Sequence, residues 1–151
     1  MPLRTPSAEE LQHAPFDEDF FHRLIDLQRE IAMQAMNMKD DRSLLVALQE
    51  SGMSPGDALG VVRDILNYQI LIRKLYLAFR LSTGTIKGSN GVAEWLECSR
   101  NYVYQVLGQI GLAADYFADP HRSVDDVFNA SPAVQELCRK LAEALQRYQV
   151  T

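Results

Sequence analysis

Ser99, Arg100, Asn101, Tyr104 and Gln105 fall within one seven-residue stretch, SRNYVYQ, and every one of them can hydrogen-bond through its side chain. That mixture suits the reading of base edges in DNA, where arginine pairs with guanine and asparagine or glutamine with adenine. Such side chains act from the N-terminal part of a helix that enters the major groove. Ser99 is a good N-cap for that helix and leaves its first turn open to a ligand.

The elements that would position them are written in GVAEWLECSRNYVYQVLGQIGL, Gly91 to Leu112. Ala93 is small, as required where two helices approach closely. Val103 is a branched apolar residue ten positions later. Val106 and Leu107 extend its inward face to Ile110 and Phe117, so the second helix is expected to reach the loop ADPHRS. This outline fits a helix-turn-helix over residues 89–118. It also fits a plain αα-corner in a bundle. Glu97 stands at the turn, where glycine is usual. A left-handed backbone costs a non-glycine residue about 1–2 kcal/mol. Glu97 therefore favours the corner, unless a longer turn avoids that conformation.

Other chemistries find few residues. Gly84–Gly88 lacks the spacing of a phosphate-binding loop, and no nucleophile sits in an elbow motif. Asp40–Asp41 and Asp125–Asp126 read as caps at helix starts, where acids are favoured. His13, His22 and His121 are scattered, and Cys98 and Cys138 have no partners at zinc-ligand spacing. Cys138 reads as a small buried apolar residue. No catalytic set, metal or cofactor is expected.

The charge is uneven. From Ile65 to Ala93 there is no Asp or Glu, while Arg73, Lys74, Arg80 and Lys87 are present. Against a net charge of −5, that segment is +4 and the remainder −9. Arg80 and Lys87, just upstream of the polar stretch, are candidate phosphate contacts. An acidic chain overall is a poor non-specific DNA binder, so a more basic partner is expected to supply affinity.

The 151 residues read as an all-α chain with no strand-like alternation. Residues 1–15, with Pro2, Pro6 and Pro15, read as a flexible leader with one helical turn at Ala8–Gln12. Asp17 or Asp19 caps a first amphipathic helix, with Phe20, Leu24, Leu27, Ile31 and Ala35 inward. Met33, Met36 and Met38 are read as core filling, with a partner groove as the alternative. Asp40 or Asp41 opens a second helix, closed by Gly52. Ser54-Pro55-Gly56-Asp57 opens a third helix, to Leu66. Asn67 caps a fourth, with Ile70, Leu71, Leu75 and Phe79 apolar. Ser82–Gly91 is a loop, and Ser123–Phe128 is a single turn. Ser131 caps a last helix, over 131–150, with Val134, Leu137, Leu141, Leu145 and Tyr148 as its stripe. No apolar run approaches the roughly 18 residues of a membrane span, and no secretory h-region opens the chain. A cytoplasmic protein is expected.

The order of four segments resembles the FlhD family, the smaller subunits of the bacterial flagellar master transcription regulator. "LIDLQREIAMQA" resembles that family's opening helix, and "GMSPGDALGVV" its short acidic helix start. "QILIRKLYLAFRL" resembles the segment ending in Phe-Arg and an apolar residue. "CSRNYVYQVLGQIGLAADYF" resembles its closing helix-turn-helix. The resemblance spans about residues 22–118. It implies an all-α, homodimeric DNA-binding transcription activator that works with a larger, zinc-carrying second subunit and RNA polymerase. The family's cysteine before Phe-Arg is absent, since Leu77 and Ala78 stand there, so an inter-subunit disulfide is not implied. Residues 16–81 would then be the dimer and partner body.

A different class competes with this reading: a helical adaptor, chaperone or antitoxin-like module that touches only protein. Exposure of Arg100, Asn101 and Gln105 together on one face separates the two.

Overall fold

The computed structural model describes residues 6, 8–12, 17–37, 44–81 and 88–146. Among these are nine helices and no strand, so the protein is all-α. The helices are α1 (Ala8–Gln12), α2 (Glu18–Asn37), α3 (Leu44–Glu50), α4 (Pro55–Leu81) and α5 (Gly88–Trp95). They continue with α6 (Arg100–Ile110), α7 (Ala114–Ala118), α8 (Val124–Ala130) and α9 (Pro132–Leu145).

Most helix starts have a legible chemical cause. Asp17 rather than Asp19 caps α2, its Oδ1 accepting the Phe20 N–H at 2.9 Å. Ser54 caps α4 by accepting the Asp57 N–H at 3.1 Å. Pro55 follows at the first helical position, where a missing N–H leaves nothing unpaired. Ser123 and Asp126 form a reciprocal capping box at the start of α8. That helix runs two residues beyond the single turn expected from sequence. The Asp40–Asp41 cap and Tyr148 lie outside the described residues.

α4 runs unbroken through Asn67, where the sequence suggested a new helix. An interior asparagine costs no more than about 0.7 kcal/mol relative to alanine. Ile65, Ile72, Leu75 and Phe79 keep one buried phase across it, and that burial outweighs the local preference. The same phase turns Ile70 outward, so it is 54% exposed rather than part of the apolar side. α6 is shorter than expected. Gly111 stops it in a left-handed conformation (φ 73°), and Phe117 belongs to the separate α7.

The chain forms two compact units, and the division falls within α4 and α9. One comprises Met1–Leu66 and Glu136–Thr151. Here α2 buries Phe20, Phe21, Leu24, Leu27 and Ile31, and α3 buries Leu44, Ala47 and Leu48. Leu11 of α1 is also buried, and Glu10 pairs with Arg23, so this part of the expected leader has fixed contacts. The rest of the leader's expected flexibility falls largely on residues outside the description. Met33 and Met36 are exposed, the latter at 82%, because they lie off the stripe that Leu24, Leu27 and Ile31 define; Ala35 keeps the phase of that stripe but is exposed near the end of α2, and Met38 lies outside the described residues. Met33 and Met36 do not fill the core. Cys138 is buried in α9, which pushes its thiol up to about 12.

The other unit, Asn67–Gln135, takes in the C-terminal half of α4 with α5 to α8. Phe79 of α4 stacks on Phe117 of α7, with ring centroids 5.3 Å apart. Val92, Ala93, Val103, Val106, Leu107, Ile110, Val127 and Phe128 complete its apolar interior.

Candidate nucleic-acid interface

The turn between α5 and α6 is the four residues Leu96–Ser99. Glu97 takes the left-handed conformation there, with φ 55°. It is the single non-glycine residue with positive φ among the described residues. Its N–H donates to the Glu94 carbonyl at 3.1 Å, and the Cys98 N–H donates to the Ala93 carbonyl at 2.9 Å. That pair of bonds is the Schellman helix ending. Gly52 and Gly111 end α3 and α6 with the same two bonds, at φ 86° and 73°. Glu97 therefore occupies a glycine's place, strain included, and no longer turn avoids it.

Ser99 follows in extended conformation, and its hydroxyl accepts the Tyr102 N–H at 3.1 Å. It caps α6 as expected. Val103, Val106, Leu107 and Ile110 are all buried and fix the inner face of α6. Ala93 is buried in α5, which packs on α6. Arg100, Asn101, Tyr104 and Gln105 are all exposed. At about 100° per residue they fall within a single arc of roughly 140°. The Arg100 guanidinium lies 5.9 Å from the centroid of the Tyr104 ring, one turn on. Cation–π contact of this kind holds the two side chains over one patch.

Of the two proposed phosphate contacts, Arg80 does not join this face. Lys87 lies outside the described residues. Arg80 is turned into its own unit. Its Nη2 donates to the Asp119 carbonyl at 2.6 Å and to the Arg122 carbonyl at 2.7 Å. Its guanidinium also lies 4.8 Å from the centroid of the Tyr76 ring, and the Tyr76 hydroxyl donates to the Arg122 carbonyl at 3.0 Å. Arg80 thus holds the loop after α7. A phosphate would have to displace those bonds.

The loop reinforces itself. Arg122 pairs with the Asp119 carboxylate at 3.2 Å and lies over the Tyr116 ring at 4.2 Å. The His121 backbone N–H donates to Asp119 Oδ1 at 2.9 Å. That N–H first, and Arg122 second, hold the Asp119 carboxyl below its ordinary value.

Tyr102 was missed by the reading of residue types. It is half exposed and borders the same arc, beside Asn101 and Gln105. Its signal in the sequence was position alone, one residue before Val103 and therefore off the buried stripe. Glu94 and Glu97 are also exposed, on the α5 side of the turn.

No other constellation competes strongly. Among the described residues no group of His, Cys, Asp and Glu could hold a metal ion. No helix there is long and apolar enough to cross a membrane. A shallow cleft of about 330 Å³ in the first unit is lined by Ser51, Asp57, Lys140 and Glu143, among others. Asp126 serves as a cap, as expected of its acidic pair. Comparison of the chain with models of known families, with curated proteins and with solved structures finds no match.

Proposed function

We propose that α5 and α6 are a helix-turn-helix and that the protein is a DNA-binding subunit of a transcription regulator of FlhD type. The observation that carries this reading is the α6 face: Arg100, Asn101, Tyr104 and Gln105 exposed together, over a row of buried apolar residues. Glu97 adopts the left-handed conformation usual for glycine at such a turn, so its residue type does not exclude the motif. Ser99 positions the first turn of α6 without covering its outer face. Arg80 is withdrawn from the contact set because its guanidinium is engaged within the unit.

Electrostatics supports a partnered mode. α6 presents one cation, and Glu94 and Glu97 repel phosphates near the turn. With a net charge of −5, the chain alone should bind DNA in the non-specific range of about 10⁻⁴–10⁻⁶ M. A basic second subunit would supply the phosphate contacts while α6 reads bases. A homodimer and contact with RNA polymerase belong to the same proposal. So does a cytoplasmic site of action.

The test is a titration of duplex DNA with the complex purified from its native host, against Arg100→Ala. Exposure predicts a stability change within about ±0.5 kcal/mol. Base reading predicts a loss of roughly 1–3 kcal/mol in discrimination between specific and scrambled sites. An Arg100→Ala complex that binds and discriminates normally would refute the recognition helix.

One observation favours a second reading. Arg100 and Tyr104, in contact with each other, and the half-exposed Tyr102 are residue types enriched at protein–protein hot spots, and all three are exposed on one helix of an acidic chain. On that reading the protein is an adaptor without DNA contact. The same titration separates the two, because an adaptor complex shows no salt-dependent DNA binding that Arg100→Ala alters.

A further inference from the structure

The C-terminal half of α4 presents an outer face that the unit does not cover. Ile70, Leu77 and Leu81 are 54%, 49% and 60% exposed. Their steps of seven and four residues place them in one row along the helix. The inner side of the same segment is separately accounted for by buried Ile72, Leu75, Ala78 and Phe79. Arg73 and Lys74 sit between Ile70 and Leu77, both exposed. By helical phase all five side chains fall within an arc of about 100° and extend over roughly 16 Å. Neither cation pairs with an acid among the described residues, and α4 holds no Asp or Glu after Asp64.

We propose that this face docks an acidic amphipathic helix of a partner protein. Three apolar anchors at helical spacing are the pattern by which one helix recognises another. The cations inside the row decide the sign of the partner. A basic helix would bury like charges together, and a neutral apolar one would leave Arg73 and Lys74 desolvated without counter-charges. Acidic residues flanking the partner's apolar row satisfy both. DNA fits less well, because three aliphatic side chains would lie against phosphates. The face is separate from α6, and the proposal stands whether or not α6 reads DNA.

The experiment uses the full chain and a fluorescein-labelled synthetic helix of about 18 residues. The helix carries leucines at matching steps and glutamates beside them. A second peptide has every glutamate replaced by lysine. The acidic peptide should bind, with affinity falling as salt rises, and the basic one should not. Leu77→Asp should weaken binding roughly tenfold or more, as loss of a central anchor does. Arg73→Glu with Lys74→Glu should reverse the preference between the two peptides. Arg100→Ala should leave binding unchanged. Circular dichroism checks that the substituted chains stay folded, as the exposure of all three positions predicts. Equal binding of both peptides, no binding of either, or no reversal in the double variant would overturn the proposal. So would phosphatidylserine vesicles or a 20-base-pair duplex binding this face, mapped by the same variants, in preference to the acidic helix.

Discussion

The Ser131 hydroxyl donates a 2.7 Å hydrogen bond to the Ile110 carbonyl, and both residues are fully buried. Ile110 ends α6, where the last carbonyls have no helical partner. The same hydroxyl oxygen accepts the Val134 N–H at 3.4 Å in the first turn of α9. One side chain thus completes the end of one helix and the start of another. Ser131→Ala should cost about 2 kcal/mol, the sum of a lost cap and a stranded buried carbonyl. Ser54→Ala, at an exposed cap, should cost about 1 kcal/mol. Urea denaturation of the two variants should order them this way. Equal losses would mean that the Ile110 bond contributes nothing.

Glu97→Gly should stabilise the protein by a few tenths to about 1 kcal/mol. Glycine relieves the steric strain of a positive φ, offset in part by the greater freedom it gives the unfolded chain. Glycine at Gly111 cannot be exchanged in the other direction. A Cβ there would come within 3.0 Å of the Pro132 ring, in addition to the strain of φ 73°. Thermal melts of Glu97→Gly and Gly111→Ala should therefore move in opposite directions.

Arg80→Ala should destabilise by about 1.5–3 kcal/mol, the range for a hydrogen bond to a charged group. It leaves the Asp119 and Arg122 carbonyls without their guanidinium donor. In the partnered complex its effect on DNA affinity should be small once the protein is kept below its melting temperature. A binding loss with unchanged stability would return Arg80 to the contact set.

Acid should weaken the second unit through Asp119. Its folded value lies below its ordinary one, so the folded state binds fewer protons than the unfolded state. The stabilisation is complete above the unfolded value, about 3.9, and is lost as pH falls through the lower folded value. Asp119→Asn removes this linkage. Chemical denaturation between pH 5 and pH 2.5 should show a shallower acid decline in the variant, and identical slopes would disprove the linkage.

Much of this protein is written locally. The all-α class follows from apolar spacing, and Ser54, Ser99 and Ser131 cap the helices that their neighbours announce, because a cap needs only the next three residues. Val103, Val106, Leu107 and Ile110 declare the inward face of α6, so the outward set of Arg100, Asn101, Tyr104 and Gln105 was legible by subtraction. Three matters were decided only in three dimensions. The conformation of Glu97 follows from the Schellman bonds that close α5, which override the residue's own preference. The continuity of α4 through Asn67 reflects burial on both sides of a residue that locally favours a helix start. The fate of Arg80 depends on carbonyls 39 and 42 residues away, which no local pattern announces. A cation in a sequence is only a charge with reach; the fold determines which oxygens come within it.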